Sequence, residues 1–390
     1  MIRTLNRSIR FSYFSSPIPT SSHSSSALIL HATFSDFTAR ISRRRRRKNN
    51  SPSPPPPDQS QIDASIASLP RRFTSSDLSS ALARLPDPRL CIPLLLHSTH
   101  RRPQLVRSGD ADASSLFLVA VNRLGSARLY RDMDSAAALA FSFSTSVSFP
   151  ETFFNTLIRF YSEARWISKA IGVYKFMRHS RHAASRPTTR TFNLLFAALL
   201  GHHRGANSYI RHLYMDALRS LFRQMLASDL APDLFAFNSM IKGYVLSLHL
   251  NDALRMFHQM VPVYGVSPDD DTYSYLIHGL CAQGRTRNAR ELYSEMRVKG
   301  LVPSGRACNS LISVLAMEGE VNEAVAALWE AVGMRKGPDF ITSRTVVEEF
   351  CRQQRMVDAV EFIKEMRQKD VIDGHCFREL LAGVEGEYQN

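Results

Sequence analysis

From residue 151 onward, apolar side chains recur every three to four positions in short bursts divided by Gly, Pro and acidic residues. That spacing predicts amphipathic helices, not strands. In residues 270 to 304, Tyr273, Leu276, Ile277 and Leu280 form one stripe, and Gly284 interrupts it. Ala289, Leu292, Tyr293 and Met296 form a second stripe, which Gly300 and Pro303 stop. The unit is thus a helix hairpin, too small to bury both stripes alone. Stacking on a like neighbour buries them and yields a superhelix with a long concave surface.

Three landmarks show that the hairpin repeats. One helix start recurs as Phe154-Asn155-Thr156-Leu157-Ile158, Phe192-Asn193-Leu194-Leu195-Phe196, Phe237-Asn238-Ser239-Met240-Ile241, Tyr273-Ser274-Tyr275-Leu276-Ile277 and Cys308-Asn309-Ser310-Leu311-Ile312. The small residue of the second helix recurs as Ala253, Ala289, Ala324 and Ala359, at separations of 36, 35 and 35. A proline closes each unit, at Pro187, Pro232, Pro268, Pro303 and Pro338. A common register for three independent signals marks a repeat array with a period of about 35 residues. Met225, Met260, Met296 and Met366 recur near the end of the second helix, which assigns them to the core.

The array divides the chain into residues 1–57, 58–150, 151–373 and 374–390. The span 151–373 holds five to six repeats, and 374–390 is a partial repeat or capping helix. Residues 189 to 233 run about ten residues long, with Gly201 to Asn207 as the insertion, which either lengthens the first helix or forms a loop. Residues 58–150 read as a helical cap with degenerate repeats. Ser76 or Asp77 is placed to cap a helix reaching Leu85, Leu116 to Leu124 is strongly apolar, and Ala136 to Ala140 resembles a second helix.

Charge changes the picture mainly at the N-terminus. The formal net charge is +14, but residues 1–57 hold ten basic side chains against the single acid Asp36, so the remainder carries only +5. This Ser- and Arg-rich stretch, ending in Ser51-Pro52-Ser53 and four prolines, buries too little apolar surface to fold alone. It reads as an organelle transit peptide and stiff linker. Arg3, Arg7 and Arg10 between Leu5, Ile9 and Phe11 favour the mitochondrion, with the chloroplast as the alternative. No apolar run approaches the roughly 18 to 20 residues that cross a bilayer, so no membrane partner is expected.

Candidate chemistry is sparse. Cys91, Cys281, Cys308, Cys351 and Cys376 form no Cys-x-x-Cys pair, and Cys281 and Cys351 share the twelfth place of their units, which favours packing over metal or redox work. His202 and His203 lack further ligands nearby, and the run Asp269-Asp270-Asp271 is simpler as a helix cap than as a metal site. There is no nucleophile elbow, no phosphate loop and no zinc-deaminase signature. The pattern predicts a scaffold without catalysis, cofactor or small-molecule substrate.

The unit Tyr-Asn-Thr-Leu-Ile, then Ala-Leu-x-x-Phe-x-x-Met, then Gly-x-x-Pro-Asp resembles the pentatricopeptide repeat, and Asp252 to Met260 matches its second helix closely. The Trp and Gly-x-x-Tyr landmarks of the related tetratricopeptide array are missing. The resemblance covers about 60% of the chain. It implies a plant organellar protein of the P-type, an all-α, right-handed superhelical α-solenoid of helix-turn-helix repeats that reads single-stranded RNA one base per repeat. The functions implied are transcript stabilisation, processing or translation.

In that family the fifth and last residues of a repeat face the base and the second flanks it. Carried over, the base-facing residues are Asn155 with Thr188, Asn193 with Asp233, Asn238 with Asp269, Ser274 with Ser304, and Asn309 with Asp339. Asn with Asp is the family's pairing for uracil, so three repeats would take uracil, while the serine pair points at best to a purine. Arg190, Phe235 and Arg306 occupy second places, where Asp271 would repel phosphate, and Arg344 fills a fifth place from which it could hold a phosphate. The last full unit ends at either Asp373 or Gly374.

The competing function is a protein-docking scaffold in a mitochondrial complex such as the ribosome, together with other organellar proteins. A basic residue along each first helix would favour RNA. Arg159 and Lys242 supply one, whereas His278 and Ser313 replace it in the next two units.

Overall fold

The computed structural model describes residues 58–70, 72–102, 111–144, 147–201 and 208–388. The targeting segment read in residues 1–57 and the His202-His203 insertion lie outside them. Eighteen α-helices and no strand occur among the described residues, and none of those helices is long and apolar enough to cross a membrane. They fall into two compact units that divide between Pro232 and Asp233.

In the unit up to Pro232, α1 (Gln59–Ala67), α2 (Ser75–Arg84) and α3 (Cys91–Arg101) precede three hairpins. These are α4 (Ala111–Ser126) with α5 (Tyr130–Ser142), α6 (Glu151–Glu163) with α7 (Ile167–His179), and α8 (Thr189–Gly201) with α9 (Ser208–Ala227). The cap of α2 is Thr74 and not Ser76 or Asp77. Its hydroxyl accepts from the Asp77 backbone N–H while the Asp77 carboxylate accepts from the Thr74 N–H at 2.9 Å, so Asp77 is the reciprocal partner of a capping box. At the other end of α2 the Arg123 guanidinium donates to the Ala83 and Leu85 carbonyls that the helix leaves unpaired.

The long repeat keeps a first helix of the usual 13 residues, α8, and carries its extra length in α9, which has 20 residues. The core of this unit is aromatic: Phe149 lies 4.7 Å from Phe153 and 5.8 Å from Phe117, and Phe154 lies 5.7 Å from Phe176, ring centre to ring centre. Gly125 is required where α4 meets α6, because a Cβ there would stand 2.5 Å from the buried Phe160 ring.

From Asp233 on, four hairpins and a single helix follow. They are α10 (Leu234–Leu246) with α11 (Leu250–Tyr264), α12 (Asp270–Ala282) with α13 (Thr286–Val298), α14 (Gly305–Met317) with α15 (Val321–Gly333), α16 (Phe340–Arg352) with α17 (Met356–Gln368), and α18 (Gly374–Tyr388). Each first helix packs on its own second helix and on the first helices before and after it, so α10, α12, α14, α16 and α18 form a continuous layer. Ala253, Ala289, Ala324 and Ala359 are fully buried where the helices of each pair approach, and Met260, Met296 and Met366 are fully buried beside them.

The turns repeat as strictly as the helices. Leu248, Gly284, Gly319 and Gln354 adopt left-handed φ angles of 64°, 66°, 86° and 58° between the two helices of each pair. The following N–H closes back on the helix: His249 N donates to Tyr244 O, Arg285 N to Leu280 O and Arg355 N to Phe350 O, each at 2.9 Å. This is the Schellman closure, which demands the left-handed residue whatever side chain it carries. Arg128 and Arg165 hold the same place in the α4/α5 and α6/α7 hairpins, both at φ 60°.

Of the five cysteines, four are buried and Cys376 is half-buried. Burial pushes the Cys281 thiol up to about 12 and the Cys91 and Cys308 thiols up to about 11, so these three stay as thiols that pack as small apolar groups.

Candidate nucleic-acid interface

The six first helices α6, α8, α10, α12, α14 and α16 each have 13 residues, and Asn155, Asn193, Asn238, Ser274, Asn309 and Arg344 are in turn the fifth of each. Each therefore sits one turn in from its own helix start. The last residue of a repeat is the N-cap of the next first helix. Asp233 accepts from the Ala236 N–H at 2.9 Å, Asp269 from Thr272 N–H at 2.9 Å, Ser304 from Ala307 N–H at 3.3 Å and Asp339 from Thr342 N–H at 2.8 Å. The carboxylates at these places are therefore positioned by helix capping. At the end of the last full unit, Asp373 accepts from Cys376 N–H at 2.8 Å and α18 begins at Gly374, which makes Asp373 the final residue.

The structure brings Asn238 and Asp269 into direct contact. Asn238 Nδ2 donates to Asp269 Oδ1 at 2.9 Å, and the Thr272 hydroxyl lies 2.8 Å from the same oxygen and 2.5 Å from Asn238 Oδ1. Every one of these contacts falls on Oδ1, as does the Thr272 N–H, so Oδ2 stands outside the network. Burial alone would raise the Asp269 carboxyl, yet the hydrogen bonds from Thr272 and Asn238 outweigh it and hold the group below the usual carboxylate range. It is ionised at neutral pH.

At Asp339, hydrogen bonding from Thr342 and then from Asn309 lowers the carboxyl against the effect of burial. Here Thr342, the counterpart of Thr272, accepts from Ser313 at 3.4 Å, and Asn309 Oδ1 is a buried acceptor without a donor. Ser274 and Ser304 meet differently, with the Ser274 hydroxyl accepting from the Ser304 backbone N–H at 2.9 Å. Asn193 and Asp233 fall one in each compact unit.

Asn155 and Thr188 do not bond to each other. Both donate to Glu151, the first residue of α6: Asn155 Nδ2 at 2.9 Å and the Thr188 hydroxyl at 2.6 Å, both on Oε1. Thr191 donates to Glu151 Oε1 at 2.8 Å and lies 2.8 Å from Asn155 Oδ1. Glu151 and the threonines Thr191, Thr272 and Thr342 are participants that the spacing did not reveal. The threonines had a signal, since each is the third residue after a proline-acidic or proline-hydroxyl turn; Glu151 had none.

The flanking positions are mostly open. Arg190, Arg306 and Phe235 are exposed, Phe235 to 47%, and Ile341 in the same place of the next full unit is 73% exposed. Arg344 is held by Glu348 at 2.6 Å, a contact that neutralises part of its pull on a phosphate. Lys242 stands 5.2 Å from the centre of the Tyr275 ring, and His278 meets Ser310 at 2.6 Å. Burial, aided by the charge of Arg306, pushes the His278 imidazole below its ordinary value, so that place carries no charge at neutral pH. Among the described residues no group of three His, Cys, Asp or Glu could hold a metal ion.

Comparison with known proteins agrees with these hairpins. The PPR repeat family model matches residues 232–282, and the PPR repeat model matches 152–182, 271–301, 306–333 and 341–371. The matched hairpins are pentatricopeptide repeats. The long unit, with its insertion, lies between matches. A pentatricopeptide repeat-containing protein of Arabidopsis thaliana, named as mitochondrial, is 45% identical over 244 residues, which is 63% of this chain and 53% of the relative. A second one, also of Arabidopsis thaliana and named as mitochondrial, is 28% identical over 52% of this chain and 50% of its own length. The chain thus spans about half the length of these curated relatives. Among solved structures, maize PPR10 bound to an 18-nt psaJ RNA element aligns over 84% of this chain and 52% of its own, at 19% identity and a TM-score of 0.42.

Proposed function

We propose that the chain is an organellar single-stranded RNA-binding scaffold in which Asn155, Asn193, Asn238 and Asn309 meet bases one repeat at a time. The observation that carries this reading is the Asn238–Asp269–Thr272 network. Thr272 orients the amide, one amide N–H is committed to Asp269, and the second N–H and the carboxylate Oδ2 are left for a ligand. A donor beside an acceptor matches the O4 and N3–H of uracil. Phe235, Ile341, Arg190 and Arg306 at the second places are open for stacking or phosphate contact, and Arg159 and Lys242 add positive charge along the first helices.

The organelle we favour is the mitochondrion, supported by the basic, Ser-rich start and by the names of both relatives. We read the role as transcript stabilisation, processing or translation, by binding alone.

The test is a salt titration of the chain from Gln59 to Asn390 against U-rich and A-rich single-stranded oligomers. We expect tighter binding to the U-rich strand, with the preference lost in an Asn193→Ala, Asn238→Ala, Asn309→Ala triple variant. Each stacked base should contribute about 1 to 3 kcal/mol. No binding of either strand at low salt would sink the reading and point to a protein-docking surface.

A further inference from the structure

The repeat spanning 151–188 ends in Thr188, which has no carboxylate, but the structure supplies one from elsewhere. Glu151 lies one helical turn before Asn155, so the two side chains share a face of α6. Its Oε1 takes the Asn155 amide at 2.9 Å and the Thr191 hydroxyl at 2.8 Å. In the repeat that begins at Leu234, Asp269 Oδ1 takes the Asn238 amide at 2.9 Å and the Thr272 hydroxyl at 2.8 Å. The two arrangements coincide in donor, acceptor, distance and supporting threonine. They differ only in where the carboxylate comes from: the last residue of the repeat in one case, the first in the other.

We infer that Glu151, and not Thr188, is the second base-facing residue of the repeat spanning 151–188, and that it gives this repeat the uracil preference of an Asn–Asp repeat. The inference rests on the RNA-binding reading above. Thr188 is left as a positioning residue, because its hydroxyl proton is spent on Glu151 Oε1 at 2.6 Å. All three contacts fall on Oε1, which leaves Oε2 outside the network, as Oδ2 is at Asp269. A carboxylate only accepts. It therefore favours a base whose pairing edge presents an N–H, as uracil does at N3, over one that presents a lone pair there, as cytosine does. Burial works against the charge on Glu151, but hydrogen bonds from Thr188, Asn155 and Thr191 outweigh it, so the carboxyl sits below its ordinary value and is ionised where RNA is bound.

The measurement uses the chain from Gln59 to Asn390 with a U-rich oligomer and a panel in which each uridine in turn is replaced by cytidine. For the unsubstituted chain, one position at the end of the bound register should cost roughly tenfold in affinity, the scale of one wrong base contact. Glu151→Gln should reduce that penalty to near unity at this position alone. Glu151→Gln with Thr188→Asp should restore it, since the carboxylate returns from the place that Asp269 occupies in its repeat. Restoration also separates base reading from mere stability, which the double variant has no reason to recover. If Asn238→Ala erases the penalty at its own position while Glu151→Gln changes none, this inference fails and the RNA reading stands. If the unsubstituted chain binds no RNA, both fall together.

Discussion

Leu248 shows how a repeat tolerates a residue that its backbone disfavours. It sits at φ 64° in the turn where neighbouring repeats carry Gly284 and Gly319, and its side chain is 65% exposed, so it gains little from packing. A β-carbon in that conformation costs about 1 to 2 kcal/mol, partly offset by the greater freedom of an unfolded glycine. Leu248→Gly should therefore raise stability by about 0.5 to 1 kcal/mol, read as an upward shift of the urea unfolding midpoint. A lower midpoint would mean that Leu248 makes a contact that matters. At the same scale the fifth-place asparagines were legible because they recur, whereas Glu151 was not. Its contacts with Thr188 and Thr191 depend on a distance between neighbouring repeats, and no periodic signal encodes that distance.

The helices α10, α12, α14 and α16 are each started by an acid or hydroxyl at the place the proposed reading gives to base contact, so under that reading capping and recognition share side chains. Asp269 and Asp339 are both held below the 3.8 of a free aspartate by hydrogen bonds that overcome burial. A group with a depressed folded value contributes stability above its unfolded value and loses it as pH falls through the folded one. Unfolding midpoints should therefore be flat from neutral pH down to about 4 and drop below it. An Asp269→Asn, Asp339→Asn variant keeps acceptors at both caps but has no such charge, so its midpoint should fall less between pH 5 and pH 3. An equal fall in both proteins would remove these caps as the cause. At this scale the hairpins, their caps and their turns were legible, because Asp, Gly and Pro act on local backbone geometry. The length of α9 was not, since it depends on what that helix packs against.

In a stack where each hairpin touches only its neighbours, stability propagates locally. The helix α18 packs on α16 and α17 through the buried Leu380 and Val384. Each such side chain contributes about 1.5 to 3 kcal/mol when fully buried. A chain stopped after Asp373 should lose amide protection in α16 and α17 while α10 and α11 exchange as before, which hydrogen exchange would resolve. A uniform loss across all hairpins from Asp233 on would show that the unit unfolds as one body instead.

The sequence by itself determined the repeat, its period, the helix pairing, the buried Ala, Met and Cys positions and the level at which Asn recurs. All of these follow from local periodicity and from residues whose backbone preferences act within a few positions. Only the tertiary structure decided which side chains complete each Asn: Asp269 with Thr272 in one repeat, Glu151 with Thr191 in another, and for Asn309 an oxygen left without a donor. Apart from the local contacts of Glu151 with Asn155 and of Asp269 with Thr272, those partnerships are formed between helices about one repeat apart in sequence. They depend on how closely neighbouring hairpins stack, and packing sets that distance.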